Sequence, residues 1–216
     1  MPILSSTKTE HLSDAITNDG YTVIEHFLNA EQIAALGAEA KLLQQAGDLR
    51  PAGIGRQQTA QLDEQLRGDC IQWLDEKTAS SAQQAYLSAM QRIREQLNRG
   101  LYLGLFEFET HFAIYPAGGV YKKHLDQFQA SPTPQTSARK ISTILYLNQH
   151  WQAEDGGQLR LYFDGTNPEP YLDIDPVGGK LVMFLSGRFY HEVLPTKRER
   201  MSITGWFRTR PDTLTH

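Results

Sequence analysis

The sequence lacks the features of disulfide-linked and membrane-spanning proteins. Cys70 is the only cysteine in 216 residues, so no intrachain disulfide can form, which is typical of proteins in a reducing compartment. No stretch approaches the roughly 18 consecutive apolar residues of a membrane-spanning helix. Residues 1–8 also lack the apolar segment of a secretory signal. We therefore expect a cytoplasmic protein that makes no membrane contact.

An excess of basic charge and the glycine patterns of phosphate-binding loops are also missing. The formal net charge is −4, whereas nucleic-acid-binding domains are usually basic. Neither GxGxxG nor GxxxxGK occurs, although glycine pairs stand at 118–119, 156–157 and 178–179. We expect no nucleic-acid partner and no nucleotide-binding loop.

The hydrophobic pattern indicates one domain with two parts. A chain of 216 residues builds one sizeable core and is short for two domains, so residues 1–216 are expected to form a single domain. Residues 1–100 are mainly helical in pattern and are expected to support a β core at 101–210. The predicted elements of the first part are helices at 10–19, 30–46 and 81–98, the second with a capping box of Asn29 and Gln32, and a strand at 21–24.

Short segments rich in strand-forming residues alternate with Gly, Pro and Asn in the second part. They lie at 105–114, 120–125, 140–147, 158–163, 171–174, 180–185, 190–194 and 201–209. Eight such strands predict a sandwich or a double-sheet jelly roll, with two long amphipathic helices packed on the outside of one sheet. The Asp-Gly-Gly at 155–157 predicts a hairpin turn that directs Leu159 and Leu161 into the core.

The most informative pattern is His124-x-Asp126, followed by His191 and, nine residues later, by Arg200. Side chains two apart in an extended strand point the same way, so His124 and Asp126 can reach one ion. With His191 they offer two neutral nitrogens and one carboxylate, which is the ligand set of non-haem Fe(II) oxygenases. The planar guanidinium of Arg200 suits a carboxylate on a co-substrate. The pattern therefore predicts an iron site beside an acid-binding site.

A His-x-Asp by itself more often marks two surface polar residues than a metal site, but two features favour the metal. His191 lies in an apolar stretch, where an unpaired imidazole would be costly. The charges of Fe(II), Asp126, a dianionic keto-diacid and Arg200 cancel, as a buried pocket requires. The charge balance restricts the class of co-substrate without naming it.

Two other segments admit a functional and a structural interpretation. Glu107, Glu109 and His111 alternate along one strand face and could bind a second metal, but a polar strand face above a packed apolar face is the simpler interpretation. The segment 127–138 is long for a hairpin loop and follows the His-x-Asp directly. Long loops of this kind are often lids or binding elements, and the alternative is a solvated loop without a role.

The sequence resembles the Fe(II)/2-oxoglutarate-dependent prolyl hydroxylases, specifically the hypoxia-inducible-factor-type enzymes and their bacterial relatives. The resemblance extends from about Arg67 to Arg208. The matching residues, in chain order, are Arg67-Gly68-Asp69 with Ile71 and Trp73, Tyr115-Pro116, Tyr121, His124-x-Asp126, Ile144-Leu145-Tyr146-Leu147-Asn148 with Trp151, Gly156-Gly157 with Leu159, His191-Glu192-Val193, and Arg200 with Thr204 and Trp206. The family fold is a mainly β, double-stranded β-helix (jelly roll) packed on N-terminal helices.

The resemblance implies roles for individual residues. The implied iron ligands are His124, Asp126 and His191. The implied 2-oxoglutarate-binding residues are Arg200 and Tyr146 at the distal carboxylate, Thr204 in the same pocket and Tyr115 near the chelating end. The implied substrate-binding residues are Tyr121 and Trp206 beside the proline, and Arg139, Arg67 and Asp69 near the peptide. No catalytic side chain beyond the metal ligands is implied.

The implied reaction is hydroxylation of a prolyl residue in a protein substrate, with Fe(II), 2-oxoglutarate and O2, release of succinate and CO2, and ascorbate as a reductant. The resemblance also allows a translation-related target protein. Hydroxylation of a free amino acid or another small molecule stays open, as does a non-catalytic jelly-roll binding module. A halogenase of this superfamily carries a small residue in place of Asp126. The nucleic-acid dealkylases carry a second arginine where this chain has Trp206.

Overall fold

The computed structural model describes residues 11–53, 63, 65–127, 138–165 and 169–210. Its helices are α1 (Leu12–Asn18), α2 (Ala30–Ala46) and α3 (Ser81–Leu101). Its strands are β1 (Tyr21–Ile24), β2 (Arg50–Pro51), β3 (Cys70–Trp73), β4 (Leu105–Tyr115), β5 (Tyr121–His124), β6 (Arg139–Tyr146), β7 (Leu159–Tyr162), β8 (Tyr171–Ile174), β9 (Leu181–Leu185), β10 (Tyr190–Val193) and β11 (Arg200–Thr209). Within these ranges no helix is both long and apolar enough to cross a membrane.

The strands form two antiparallel sheets. The major sheet has seven strands in the order β1-β9-β6-β11-β4-β3-β2, and the minor sheet has four in the order β5-β10-β7-β8. Because consecutive strands such as β9, β10 and β11 alternate between the sheets, the chain winds as a double-stranded β-helix. The predicted mainly β fold with supporting helices is confirmed.

Strand alternation gives the major sheet two different faces. The face of β4 and β11 that packs against the helices carries Phe112, Ile114, Ile203 and Phe207. The helical residues of this core include Leu36, Ala40, Tyr86, Met90, Ile93 and Leu97, as the predicted amphipathic stripes require. The residues between them, such as Tyr115 and Arg200, face the opposite way, toward the minor sheet.

The long helices begin where the sequence predicts and one of them ends later. The predicted capping box of α2 is present, with Gln32 N donating to Asn29 Oδ1 at 2.8 Å and Asn29 N donating to Gln32 Oε1 at 3.1 Å. In contrast, α3 continues through Gly100 to Leu101. A Cβ at position 100 would collide with the Ser13 hydroxyl of α1. Gly100 therefore permits close packing of two helices and does not end the helix.

Two further predictions of local structure are wrong. The Asp-Gly-Gly segment does not form a hairpin turn, because β6 pairs with β9 and β11 whereas β7 pairs with β8 and β10. It forms a 3-10 turn, Ala153–Asp155, and two left-handed glycines in the connection from the major to the minor sheet. In addition, β5 ends at His124, so Asp126 lies in a bend beyond the strand.

Candidate active site

The structure brings the three predicted metal ligands together. His124 ends β5, His191 lies opposite it on β10, and Asp126 follows β5. The Nε2 atom of His124 is 3.6 Å from Asp126 Oδ1, and that of His191 is 3.5 Å from Asp126 Oδ2. One candidate ligand atom from each residue lies within 4.8 Å of the other two. Among the described residues, this is the single group of three such side chains with a spacing that one ion can bridge.

The hydrogen bonds of both histidines leave Nε2 available for a metal. The Nδ1 atom of His124 lies 2.7 Å from the Lys122 carbonyl, and the Nδ1 atom of His191 lies 3.1 Å from the Phe189 carbonyl. A carbonyl only accepts, so each Nδ1 carries a hydrogen, and the tautomer with its hydrogen on Nδ1 has its lone pair on Nε2. Backbone carbonyls of this kind commonly orient metal-binding histidines.

The electrostatics of the cluster suit a cation. Burial, together with the neighbouring His124, lowers the pKa of His191 to about 4, so this imidazole is neutral at pH 7. Burial by itself would raise the pKa of Asp126, but His191, His124 and a hydrogen bond from Ser142 together bring it well below its usual range. The site thus presents the neutral imidazole of His191 and the carboxylate of Asp126 beside the ring of His124, in agreement with the donor set of an Fe(II) site.

A second group of residues presents unpaired donors on the inner face of the major sheet. Arg200 on β11 is 1% exposed, and its Nε donates to the Gly157 carbonyl at 2.9 Å. The Arg200 Nη2 and the hydroxyl of fully buried Tyr146 have no hydrogen-bond partner within the described part of the chain. Burial raises the pKa of Tyr146 to about 12, so its phenol is a neutral donor. Two buried, unpaired donors of this kind fit the carboxylate of a bound acid.

The other predicted co-substrate residues lie near this pair. Thr204 is two residues from Ser202 on the same face of β11, and their hydroxyls are 3.5 Å apart. Tyr115 pairs with Arg200 in the strand register, and the Arg200 guanidinium carbon is 5.2 Å from the Tyr115 ring centre. Burial raises the pKa of Tyr115 well above its usual value. Tyr115, Tyr146 and Arg200 are therefore neighbours on the inner face of the major sheet, with Thr204 on the same face of β11, and both phenols are protonated.

Three predicted substrate-binding residues form a connected group that ends on His124, a predicted metal ligand. Arg67 makes a two-pronged ion pair with Asp69, through distances of 2.7 and 3.1 Å. Its guanidinium carbon lies 4.8 Å from the ring centre of Tyr121, and that ring is stacked on His124 at 3.6 Å with 18° between the planes. In this structure, Arg67, Asp69 and Tyr121 thus support the imidazole of His124.

The remaining substrate-binding candidates, Arg139 and Trp206, lie on the inner face of β6 and β11. The Arg139 guanidinium carbon is 3.5 Å from the Trp206 ring centre, and its Nε donates to Glu109 at 2.8 Å. Glu109 also accepts from Arg208 at 2.6 Å. The carboxylate is therefore neutralised by two arginines, and the second metal site considered for Glu107, Glu109 and His111 is not present among the described residues.

Two residues of the site, Ser142 and Ser186, carry little or no signal in the sequence. Ser142 and Ser186 are buried beside Asp126, where Ser142 donates to Oδ2 at 2.6 Å. A buried serine in an apolar strand such as ISTILY is a weak signal, because hydroxyls also satisfy backbone carbonyls there. His111 is buried between Trp73 and Trp206, with ring-centre distances of 4.9 and 5.6 Å.

His111 should make the stability of the protein depend on pH. Burial lowers its pKa from 6.5 to about 4. Between these values the unfolded chain binds more protons than the folded one, so the contribution is present above about pH 6.5 and is lost as the pH falls toward 4. We expect protonation of His111 at low pH to lower the free energy of unfolding by up to about 3 kcal/mol. Chemical denaturation of the metal-free protein measures the free energy of unfolding between pH 7 and 4.5. This free energy should change less with pH for His111→Gln than for wild type, and an equal change in the two proteins would contradict the prediction.

Comparison with known proteins assigns this arrangement to a class. The model of the 2OG-Fe(II) oxygenase superfamily matches residues 110–208, which contain all of the predicted ligands and Arg200. A prolyl-4-hydroxylase from Pseudomonas putida is 44% identical, with a TM-score of 0.82 over 92% of this chain and 98% of that chain. A Trichoplax adhaerens prolyl hydroxylase, solved with a peptide of the hypoxia-inducible factor oxygen degradation domain, is 26% identical, with a TM-score of 0.74 over 93% of this chain and 90% of that one.

Curated sequences point to the same group. The hypoxia-inducible factor prolyl hydroxylase of Caenorhabditis elegans is 32% identical over 92% of this chain. The chain spans 28% of the length of that protein and 46% of the length of human Egl nine homolog 1. From the identity and nearly complete mutual coverage with the Pseudomonas putida structure, the chain belongs to the prolyl hydroxylase family of the 2OG-Fe(II) oxygenases.

Proposed function

We propose that the chain is a dioxygenase that uses Fe(II), 2-oxoglutarate and O2 to hydroxylate a prolyl residue in a protein substrate. The observation that carries this proposal is the pair of buried, unpaired donors on Arg200 and Tyr146, in the same fold as the His124, Asp126 and His191 cluster. Iron and 2-oxoglutarate, when bound, supply the oxidising chemistry, in which one oxygen atom of O2 enters a C–H bond and 2-oxoglutarate becomes succinate and CO2.

The side chains bind and orient, and none of them needs to act as a general acid or base. His124, Asp126 and His191 would hold the iron. Arg200 and Tyr146 would bind the distal carboxylate of 2-oxoglutarate, and Thr204 and Tyr115 would line the same pocket. Burial of Arg200 and Tyr146 excludes water from this end of the pocket.

Gly157 should contribute to co-substrate affinity because it positions Arg200. Its φ of +67° is left-handed, and a Cβ would lie 3.1 Å from Arg200 Cδ. Gly157→Ala adds backbone strain of about 1–2 kcal/mol and displaces the guanidinium. We expect KM for 2-oxoglutarate to rise about tenfold or more, as each 1.4 kcal/mol of lost binding is tenfold.

Gly47 provides the matched control for this change. It is also left-handed, with a φ of +75°, but a Cβ there would meet nothing within 4 Å. Gly47→Ala should therefore lower stability to a similar extent and leave KM unchanged. A Gly157→Ala enzyme with the KM of wild type for 2-oxoglutarate would contradict the positioning role.

A protein is the favoured class of substrate. The Trichoplax adhaerens relative is solved with a peptide, and aromatic and charged groups at the site provide a surface for one. Trp73 is 46% exposed, and it neighbours Trp206, which is stacked under Arg139. An exposed aromatic side chain close to an arginine is typical of interfaces that bind polypeptides. We also propose a cytoplasmic location for the protein, a translation-related protein as its target, and ascorbate as a reductant that maintains activity.

The proposal is tested by locating hydroxyproline in candidate proteins. Lysate incubated with the enzyme, Fe(II) and 2-oxoglutarate should contain at least one peptide whose proline gains one oxygen, with a matching release of succinate. His124→Ala should remove both signals. Succinate release that depends on free proline and on no peptide would support small-molecule hydroxylation in its place. A lack of succinate release with every added substrate would favour a non-catalytic binding module.

A further inference from the structure

Asp126 is held in place by the major sheet, although the two histidines of the cluster belong to the minor sheet. It lies beyond the end of β5, so strand pairing does not fix its side chain. Its Oδ2 accepts from the Ser142 hydroxyl at 2.6 Å, and the Ser142 hydroxyl is 2.9 Å from that of Ser186. Ser142 is on β6 and Ser186 follows β9, the neighbouring strand of the same sheet.

The direction of this hydrogen-bonded chain follows from the number of hydrogens. The carboxylate of Asp126 is ionised and only accepts, so the single hydrogen of the Ser142 hydroxyl points to it. Ser142 can then only accept from Ser186, which therefore donates. Both serines are buried, with exposures of 1% and 0%, so water does not compete for these bonds. The two hydroxyls thus form an ordered chain from Ser186 through Ser142 to Asp126.

The backbone beside Asp126 is fastened to the same place. The amide of Gln127 donates to the Ser186 carbonyl at 3.2 Å, and the amide of Ser186 donates to the Lys140 carbonyl of β6 at 3.0 Å. The Gln127 side chain also lies close to the next residue, because a Cβ at Gly187 would be 2.7 Å from Gln127 Oε1. Main chain and side chain of the His-x-Asp segment are therefore both anchored on the β6–β9 pair.

We propose that Ser142 and Ser186 are positioning residues that orient Asp126 for metal binding. The inference depends on the metal site of the proposed function and adds two residues to it. The Ser142 hydrogen on Oδ2 restricts rotation of the carboxylate, which places Oδ1 3.6 Å from His124 Nε2 and Oδ2 3.5 Å from His191 Nε2. Without the hydroxyl, the carboxylate is free to rotate, and it loses a charge-assisted bond. Loss of an outer partner of a metal ligand typically weakens metal binding about 10–100-fold.

The experiment measures the affinity of the full chain for Co(II) without 2-oxoglutarate, by absorbance titration against a competing chelator. Ser142→Ala should raise the Kd by about 10–100-fold. Ser186→Ala should raise it less, because Ser142 can still donate to Asp126. Thr143→Val is the matched control. The Thr143 hydroxyl is also buried on β6 but donates to the Gly205 carbonyl at 3.2 Å, and we expect the Kd of this variant to equal that of wild type.

The outcomes separate this inference from the proposed function. If wild type does not bind Co(II), the metal site itself is refuted. If wild type binds and Ser142→Ala binds equally well, only the positioning role is refuted. An equal loss of affinity in Thr143→Val would show that a general loss of strand packing is responsible, and it would also overturn the role. Should Ser142→Ala be unfolded by circular dichroism, Ser142→Val, which also lacks the hydroxyl and suits a buried strand, replaces it with the same criteria.

Discussion

His191→Ala should abolish metal binding and all hydroxylase activity. His191 supplies one of three ligand atoms, and its Nε2 lies 3.5 Å from Asp126. Removal of an outer hydrogen-bond partner costs about 10–100-fold in metal affinity, so loss of a ligand itself should exceed about 100-fold. The alanine also leaves a cavity at a buried position, and stability must therefore be followed separately. Isothermal titration with Fe(II) under anaerobic conditions measures the metal affinity, and succinate release measures the hydroxylase activity.

Two controls distinguish ligand loss from damage to the fold. His191→Gln retains much of the side-chain volume but not the imidazole, so it should fold and still fail to bind Fe(II). His11→Ala removes an exposed imidazole, with 88% of its side chain accessible, and should bind Fe(II) as wild type does. A folded His191→Gln protein with wild-type Fe(II) affinity would show that His191 is not a ligand.

Arg200→Lys should weaken 2-oxoglutarate binding although the positive charge is kept. The guanidinium uses its Nε on the Gly157 carbonyl and leaves Nη2 unpaired beside the Tyr146 hydroxyl. The ammonium of a lysine lacks the rigid planar fork of donors, so it cannot donate to the Gly157 carbonyl and to a bound carboxylate in the same geometry. Loss of a charged hydrogen bond in a buried site costs about 2–3 kcal/mol. We therefore expect KM for 2-oxoglutarate to rise about 30–150-fold, with kcat affected less.

Arg198→Lys is the matched control for this change. Arg198 lies two residues away, its side chain is 47% exposed, and it pairs with Asp155 at 3.3 Å. Its replacement should leave KM unchanged. Tyr146→Phe provides an independent variant, since it removes only the second unpaired donor and should raise KM by about tenfold, as expected for one lost hydrogen bond of about 1.4 kcal/mol. Unchanged KM in both Arg200→Lys and Tyr146→Phe would refute the assigned pocket.

Most strands and helices could be predicted because local patterns and the tertiary fold agree. The capping box at Asn29 and the strands at Tyr21–Ile24 and Tyr171–Ile174 stand where they were expected. The strands β2 and β3 were missed. β2 has only two residues, one of them Pro51, and β3 (CIQW) has no fully buried residue. Both form an edge of the major sheet, where pairing is decided by long-range partners and leaves little periodicity in the sequence.

The metal ligands could be predicted from residue type and order, but the reason for their convergence could not. Strand alternation suggested that His124 and Asp126 share a face, whereas β5 ends at His124. The Asp126 carboxylate is oriented by a hydrogen bond from Ser142, which is 16 residues away in the sequence and on the other sheet. Hydrogen bonds between distant segments of this kind have no local signature. The same holds for Arg67, whose contact with the ring of Tyr121 depends on the folded chain.

A metal ion at this site would cross-link the two sheets. His124 and His191 belong to the minor sheet, whereas Asp126 is tied through Ser142 to the major sheet. Binding to the folded state alone stabilises a protein by about 2.7 kcal/mol when the free metal is about 100 times its Kd. Here the bound metal would stabilise the packing of the minor sheet against the major sheet. Backbone amides of β5 and β10 should therefore exchange with solvent deuterium more slowly once metal is added, as should every amide that exchanges only through global unfolding.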